Sequence, residues 1–101
     1  MEDKVSAEDV RRAVEHVKHP AIDRTLIDLG IVKDIEVESG KAKVTFAFPF
    51  PNIPIKDMLI ESIRAPISEL GLEMEAEVVV MTPEELQRFL EMEREGWMGG
   101  V

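Results

Sequence analysis

The sequence predicts an α+β fold, a single compact domain with the element order α-β-β-α-β-α. In this fold a three-stranded mixed or antiparallel sheet carries its helices mainly on one face. Two observations predict the class. Apolar residues recur at helical spacing in some segments and alternate with polar residues in others, and turn residues separate these segments. A hairpin followed by one right-handed crossover would join the elements into a small sheet.

The amino-acid composition excludes several classes of protein. The 101 residues are expected to form one domain, residues 1–101. A net charge of −9, from 21 acidic and 12 basic residues, would repel phosphate backbones and anionic lipids, so we expect no nucleic-acid or membrane partner. There is no cysteine, which excludes a disulfide or a thiolate site within these residues. No run is apolar enough to span a bilayer and no secretory signal opens the chain, which predicts a cytoplasmic protein.

The first helix is predicted from residue 6 up to Pro20. Ser6 is a suitable N-cap, and Asp9 stands at the N3 position of a capping box. Pro20 is expected to end the helix, because the residue before a proline avoids the helical conformation. A connector follows and closes at Gly30.

Residues 31–48 are predicted to form a β-hairpin. Ile31, Ile35 and Val37 would face one way, with acidic residues between them. Ser39 and Gly40 provide the turn, since both positions tolerate positive φ. The return strand has four alternating apolar residues: Ala42, Val44, Phe46 and Phe48.

The run FPFPNIP, residues 48–54, leads into a second helix at about residues 55–70. Its prolines have no N–H to donate, so we do not expect the loop to cradle a phosphate. Asn52 is predicted to cap the helix. Pro66 should kink the helix or end its regular part, and Gly71 suits the C′ position.

A third strand and a third helix complete the pattern. Four residues of the strand should share one face: Met74, Ala76, Val78 and Val80. The strand is expected to run parallel to the second strand, and we favour the sheet order 2-1-3 over 1-2-3. The C-terminal helix, at about residues 83–95, has Thr82 as N-cap and Glu85 to complete a capping box. Its buried stripe would comprise Leu86, Phe89 and Leu90.

Trp97 and the tail that follows it have two explanations. Gly96 at C′ would put Trp97 at C″, where it would pack on Met92 as in a Schellman motif. Aromatic residues are also enriched at interfaces, so Trp97 is a candidate partner contact. A helix end can serve both roles.

Two histidines provide a candidate metal site. His16 and His19 are spaced i, i+3, so both would project from one face at the end of the first helix, and Asp23 and Asp28 follow in the connector. Two histidines and a carboxylate can hold zinc or iron. The structural alternative is a surface His16 and a His19 favoured by the helix dipole. Apart from this iron or zinc option, we expect the chain itself to bind no cofactor.

No catalytic constellation is visible in the sequence. Glycine-rich phosphate motifs and the nucleophile-elbow motif are absent. We therefore expect that the protein is not an enzyme.

The connector and hairpin, HPAIDRTLIDLGIVKDIEVESGKAKVTFAF, and the following PIKDMLIESIRAPISELG resemble a known family. They are similar to the SufT/PaaD-like metal–sulfur cluster biosynthesis domain, which also forms the N-terminal domain of some Mrp/ApbC-type scaffold ATPases. The resemblance spans about residues 10–81, and LIDLGIVKDIEV is its most specific part. It implies the same compact α+β fold and a role in iron–sulfur cluster assembly or delivery.

The resemblance also implies a functional pocket and shows where this chain departs from it. In the family, an Asp-Pro-Glu motif after the first helix and a Thr-Thr-Pro-Gly-Cys-Pro type loop after the second strand form the proposed pocket. Here the second motif falls on residues 49–54, with Ile53 in the cysteine position. Four residues of the pattern persist: Pro20, Asp28, Pro51 and Pro54. The scaffold is therefore implied without its thiolate.

Two function classes follow. The first is an accessory protein in iron–sulfur cluster assembly or delivery, which contacts assembly proteins or client apoproteins. The alternative is a non-catalytic interaction or small-ligand-binding module that keeps the fold without cluster chemistry. A homodimer is compatible with both. Five residues are predicted to line a partner surface or pocket: Asp28, Phe50, Asn52, Ile53 and Trp97.

Overall fold

The structure is a computed structural model that describes residues 5–97. Most of its helices and strands lie where local sequence signals predict them. The elements are α1 (Ala7–Val14), β1 (Val32–Glu38), β2 (Lys41–Phe48), α2 (Lys56–Glu69), β3 (Glu73–Val80) and α3 (Pro83–Gly96). This is the predicted order of an α+β domain. No helix among the described residues is long and apolar enough to cross a membrane.

Helix α1 begins as predicted and ends early. The Ser6 hydroxyl accepts from the Asp9 N–H, and the Asp9 carboxylate accepts from the Ser6 N–H, which closes the capping box. The helix stops at Val14, well before Pro20, so the predicted extent was wrong. The chain instead folds back on itself, with Lys18 bridged to Thr25 and the Leu26 N–H bonded to the Val17 carbonyl.

The sheet has the order β1-β2-β3, so the favoured order 2-1-3 was wrong. β1 and β2 form the predicted antiparallel hairpin, with positive φ at Ser39 and Gly40. β3 runs parallel to β2, as predicted. Strand β2 is therefore central, which its burial on both faces explains: Phe46, Ala47 and Phe48 are all nearly inaccessible.

Helix α2 forms the crossover between the parallel strands and packs on the face that carries Phe46 and Phe48. It continues through Pro66 to Glu69, so the proline does not end it. Gly71, at φ +83°, occupies C′ as predicted. The Gly71 N–H donates to the Ser68 carbonyl and the Leu72 N–H to the Ile67 carbonyl, which together form a Schellman motif.

Helix α3 docks on the connector between α1 and β1. Its N-terminus has the predicted capping box of Thr82 and Glu85. Its C-terminal end meets residues 22–24: Ile22 bridges to Trp97, and the Asp23 N–H donates to the Gly96 carbonyl at 2.7 Å. In the predicted stripe Phe89 is buried and Leu86 half-buried, whereas Leu90 is exposed, so the prediction for Leu90 was wrong.

One core joins these elements. α1 packs on β1 and α2, and α2 packs on β2 and β3. Ala47 lies on the opposite face of the sheet from Phe46 and Phe48 yet is fully buried. The same apolar cluster includes Met81 and Phe89 together with the connector's Ile22, Leu26 and Leu29. The core therefore continues beyond the carboxyl ends of β2 and β3, where α3 and the connector contribute to it.

Candidate functional site

The candidate site lies where β2 and β3 end. The 49–55 loop leaves β2 here, and the Met81 N–H donates to the Phe48 carbonyl at 2.8 Å just before α3 begins. The connector arrives at the same place, because the Ala47 N–H donates to the Ile31 carbonyl, also at 2.8 Å. Ligand sites in α/β sheets favour this end of the strands, since the loops that leave the strands meet there.

The 49–55 loop is a partly anchored turn. Pro49 is buried and Ile53 is half-buried against the core, whereas Phe50 and Asn52 are exposed. The N-cap of α2 is Ile55, with no side-chain hydrogen bond, so the prediction that Asn52 caps this helix was wrong. The loop has turned Phe50 outward, with 51% of its surface exposed.

Met58 adds a second exposed apolar side chain at this end of the molecule. It lies in the first turn of α2 and is 54% exposed. It does not share the buried stripe of Leu59, Ile63 and Ile67. Phe50 thus precedes the start of α2 in the chain, Met58 lies just after it, and both side chains are exposed to solvent.

Asp28 lies beside a small groove of mixed charge. The Asp28 N–H donates to the Thr25 hydroxyl at 3.1 Å, which fixes the backbone while the carboxylate stays exposed. The groove measures about 230 Å³. Its charged lining residues are Arg11, Asp28, Lys33, Glu85 and Arg88. Residues 49–54 do not line it, so Asp28 and Phe50 share one end of the sheet without forming one pocket.

Lys33 reaches this groove because β1 is irregular. The register shifts between Val32 and Asp34, so Lys33 is the extra residue of a bulge, a feature that re-aims side chains. Its ammonium lies 3.0 Å from the Glu85 carboxylate. The Thr82 backbone N–H, and then Lys33, lower the pKa of Glu85. The ion pair connects the start of β1 to the start of α3.

The histidines do not form the predicted helical pair. Both follow the end of α1, with His16 exposed and His19 half-buried. The His19 Nδ1 accepts the Ala21 N–H at 3.0 Å, which occupies one of its two ring nitrogens. Burial lowers the pKa of His19. Across residues 5–97 no three His, Asp or Glu side chains come together as a metal site would require.

Trp97 lies at the far end of α3 from the candidate site. Gly96 is the last helical residue and Trp97 the C-cap, so the predicted Schellman placement was wrong. The indole is 52% exposed and lines an open groove with Leu90, Glu93 and Arg94. Because α3 has 14 residues, Trp97 is about 20 Å from Thr82 along the helix. The residues of the tail beyond Trp97 lie outside the described part of the chain.

Five site residues were not predicted as such from the sequence: Arg11, Lys33, Met58, Glu85 and Arg88. The position of Lys33 in the groove depends on the bulge in β1, and that of Arg88 depends on how α3 docks. Neither feature can be recognised from the neighbouring residues in the sequence. Met58 did have a local signal, because it falls outside the apolar spacing of α2.

Comparison with known proteins identifies the family. The family model described as "Iron-sulfur cluster assembly protein" matches residues 7–80. The chain belongs to this family, which connects it with iron–sulfur cluster assembly. Its fold is similar to the crystal structure of a domain of unknown function, DUF59, from Bacillus anthracis, with a TM-score of 0.69 and 18% identity over 88% of this chain and 91% of that chain. No curated protein matches the chain.

The residues at the candidate site do not fit an iron–sulfur cluster as a ligand set. Cluster irons are held mainly by cysteine thiolates, and the sequence contains no cysteine. Ile53, in the position that the resemblance assigns to the family's cysteine, points partly into the core. The polar groups at this end of the sheet are the carboxylates of Asp28, Asp57 and Glu85 and the amide of Asn52.

Proposed function

We propose that this protein is an accessory factor in iron–sulfur cluster assembly or delivery that acts by contacting other proteins. Membership of the family supplies the process. The side chains present support contact with other proteins over direct ligation of a cluster, because the chain has no cysteine to place a thiolate at the end of the sheet. Within the family we regard the chain as a divergent SufT/PaaD-like member.

The exposure of Phe50 carries the proposal. A loop with prolines at 49, 51 and 54 has little backbone freedom, so the aromatic ring is held outward at small entropic cost. A large apolar side chain on a stiff loop is the kind of anchor that dominates binding energy at protein interfaces. Met58 is a second exposed apolar side chain, in the first turn of α2, and the groove at Asp28 adds charged groups at the same end of the sheet.

A non-catalytic role agrees with how the hydroxyl groups are used. The Ser6 and Thr82 hydroxyls cap helices, Thr25 accepts from the Asp28 N–H, and Ser62 donates to the Leu59 carbonyl. None of these bonds pairs a hydroxyl with a histidine. We therefore propose that the protein is not an enzyme and that it works in the cytoplasm with assembly proteins or client apoproteins.

The test compares two apolar side chains of similar exposure. Tagged wild type, Phe50→Ser and Leu90→Ser proteins are purified from the native source, and co-purified iron–sulfur assembly proteins and client apoproteins are quantified by mass spectrometry. Leu90, 39% exposed on α3, is the matched control. Phe50→Ser should reduce recovery of these proteins about tenfold, as loss of an interface anchor does, while Leu90→Ser should not.

Two results would contradict the proposal. If the wild type recovers no component of iron–sulfur assembly, the accessory role is wrong. If Leu90→Ser loses the partners and Phe50→Ser keeps them, the contact surface lies on α3 near Trp97 and not at the 49–54 loop.

A further inference from the structure

Strand β3 leaves one edge of the sheet open among the described residues. It follows β2 in the order β1-β2-β3 and has no second neighbour there. The Glu73 N–H donates to the Gly40 carbonyl, and the Met81 N–H donates to the Phe48 carbonyl. The backbone N–H and C=O groups of successive residues point to opposite sides of a strand, so those of the odd-numbered residues of β3 point toward β2. The even-numbered residues Met74, Ala76, Val78 and Val80 therefore present N–H and C=O groups on the open edge.

The same even-numbered residues form an apolar shelf. Their register with Ala42, Val44, Phe46 and Phe48 places them on the sheet face that α2 covers. Phe46 and Phe48 are buried there, yet Val78 is 46% and Val80 is 52% exposed. Helix α2 contacts both β2 and β3, yet Met74 is the one buried residue of the shelf, so Val78 and Val80 stay uncovered near the end of the strand. Unpaired backbone and uncovered valines thus lie side by side.

The opposite face of β3 is acidic. Glu73, Glu75 and Glu77 alternate with the shelf residues, and Glu77 is paired with Lys43 at 3.4 Å. On the β1 side, Glu36 lies opposite Lys43 and Glu38 opposite Lys41, while Asp34 lies opposite Thr45 on the same face. The carboxylates on this face outnumber the lysines, so cationic side chains from outside would be attracted to it.

Apart from its glutamates, strand β3 lacks the features that usually protect an edge. It contains no proline, glycine or lysine between Glu73 and Val80. From these observations we propose that the edge of β3 accepts an extended segment of a partner protein in which basic and apolar side chains alternate. The apolar residues would cover Val78 and Val80, and the basic residues would face Glu75 and Glu77. This inference does not depend on the proposed function, because it concerns a different surface.

A second copy of this chain is a poorer occupant. Each chain has a net charge of −9. Pairing of two β3 strands would bring the glutamates of both copies onto one face of the joined sheet, where they would repel each other. A basic segment makes the same backbone bonds and neutralises these charges.

Hydrogen exchange measured by NMR tests the proposal at single amides. In the free protein the amides of Ala76 and Val78 should exchange quickly, whereas those of Glu75, Glu77 and Val79 should be protected by β2. The probe is a short peptide of alternating lysine and valine. At saturation it should slow exchange at Ala76 and Val78 by about tenfold or more. A peptide of the same composition with its lysines grouped at one end, and a peptide of alternating glutamate and valine, should not do so.

Two variants assign the effect to the edge and to the charges. Val78→Pro removes an N–H that points away from β2, so the β2–β3 bonds persist while the edge is blocked. Protection at Glu77 and Val79 shows whether this variant is folded. Glu73→Lys combined with Glu75→Lys reverses the charge of two of the three glutamates of β3 and leaves the Glu77–Lys43 pair in place. It should weaken binding of the lysine peptide about tenfold while strengthening that of the glutamate peptide.

Three results would overturn the proposal. The first is unchanged exchange at Ala76 and Val78 with saturating lysine–valine peptide. The second is equal protection by the grouped-lysine peptide, which would show attraction by charge alone. The third is protection of these amides without peptide that grows with protein concentration, which would assign the edge to a second copy of the chain.

Discussion

His19 does not form the predicted helical pair with His16, but it stabilises the chain at another place. It holds a sharp turn, since its Nδ1 accepts the Ala21 N–H and its own N–H donates to the Arg24 carbonyl. A protonated ring carries a hydrogen on both nitrogens, so protonation would break the bond to Ala21. Burial already disfavours the charged form and lowers the pKa of His19.

This arrangement predicts a loss of stability in mild acid. Because the folded pKa lies below the ordinary value of 6.5, the unfolded chain binds more protons between these two values. The contribution of His19 is therefore complete above pH 6.5 and falls as the pH drops toward the folded pKa. Urea denaturation from about pH 7.5 to 5 should show this decrease in the wild type, and His19→Asn should lessen it.

His16→Asn is the matched control, because His16 is exposed and accepts no bond from its neighbours' backbone. It should keep the wild-type pH dependence. The hydrogen-bonded carboxylates do not confuse the comparison. The Ser6 N–H lowers the pKa of Asp9, and Lys18 lowers that of Asp23. Their contributions are lost as the pH falls through and below the ordinary value of 3.8, outside this pH range. An identical pH dependence in wild type and His19→Asn would refute the prediction.

Residue roles fixed by near neighbours were predictable, and those fixed by distant ones were not. The capping boxes at Ser6 and Thr82 involve residues three positions apart, so the sequence contains both partners. The position of Trp97 depends on Ile22, far away in the chain. Asn52 was predicted as the N-cap of α2 from its residue type, but the loop continues to Ile55, which is the N-cap in the structure.

At the scale of elements, the helices show when a local signal is overruled. Pro20 is a valid stop signal, yet α1 ends at Val14 because residues 17–26 form their own bridged turn. In α2 the reverse occurs, since the helix continues past Pro66. Four buried side chains hold α2 on the sheet: Leu59, Ile60, Ile63 and Ile67. Tertiary packing therefore outweighs the lost hydrogen bond.

The tolerated proline predicts a stabilising substitution. Pro66→Ala should restore the N–H that bonds the Ser62 carbonyl and raise the free energy of unfolding by about 1–2 kcal/mol. The gain is less than the ~3 kcal/mol cost of a helix-interior proline, because proline also restricts the unfolded chain. Urea denaturation measures the change.

Pro54→Ala provides a control of opposite sign. Pro54 lies exposed in the loop before α2, where no helical hydrogen bond is missing. Its replacement should lower stability by about 0.4–1 kcal/mol through the unfolded state. A Pro66→Ala variant less stable than wild type would show that the ring's contacts matter more than the backbone bond.

At the scale of the whole molecule, the strand order was the feature that local patterns could not decide. Both 2-1-3 and 1-2-3 allow a right-handed crossover through α2. The distinguishing signal was in β2, where Phe46, Ala47, Phe48 and Pro49 are successive uncharged residues that are all buried. A strand apolar on both faces belongs in the centre of a sheet. Strand β1, with its exposed acidic residues, belongs at an edge.

Charge is the other property of the whole molecule, and it predicts how stability responds to salt. With a net charge of −9 and an acidic sheet face, the folded state concentrates like charges. Raising sodium chloride from about 0.01 M to 0.1 M shortens the Debye length from ~30 to ~10 Å, which screens this repulsion. The free energy of unfolding should rise by a few tenths to about 1 kcal/mol, as measured by urea denaturation.

Two neighbouring substitutions should change this salt response in opposite directions. Glu75→Gln removes one negative charge while Lys43 keeps its pair with Glu77, so the response should become smaller. Lys43→Gln leaves the glutamates of β1 and β3 facing each other across β2, so the response should become larger. A wild type that loses stability with added salt would mean that attraction within ion pairs such as Lys33–Glu85 exceeds the repulsion. The acidic face would then be a stabilising network, and a basic partner segment would gain little by neutralising it.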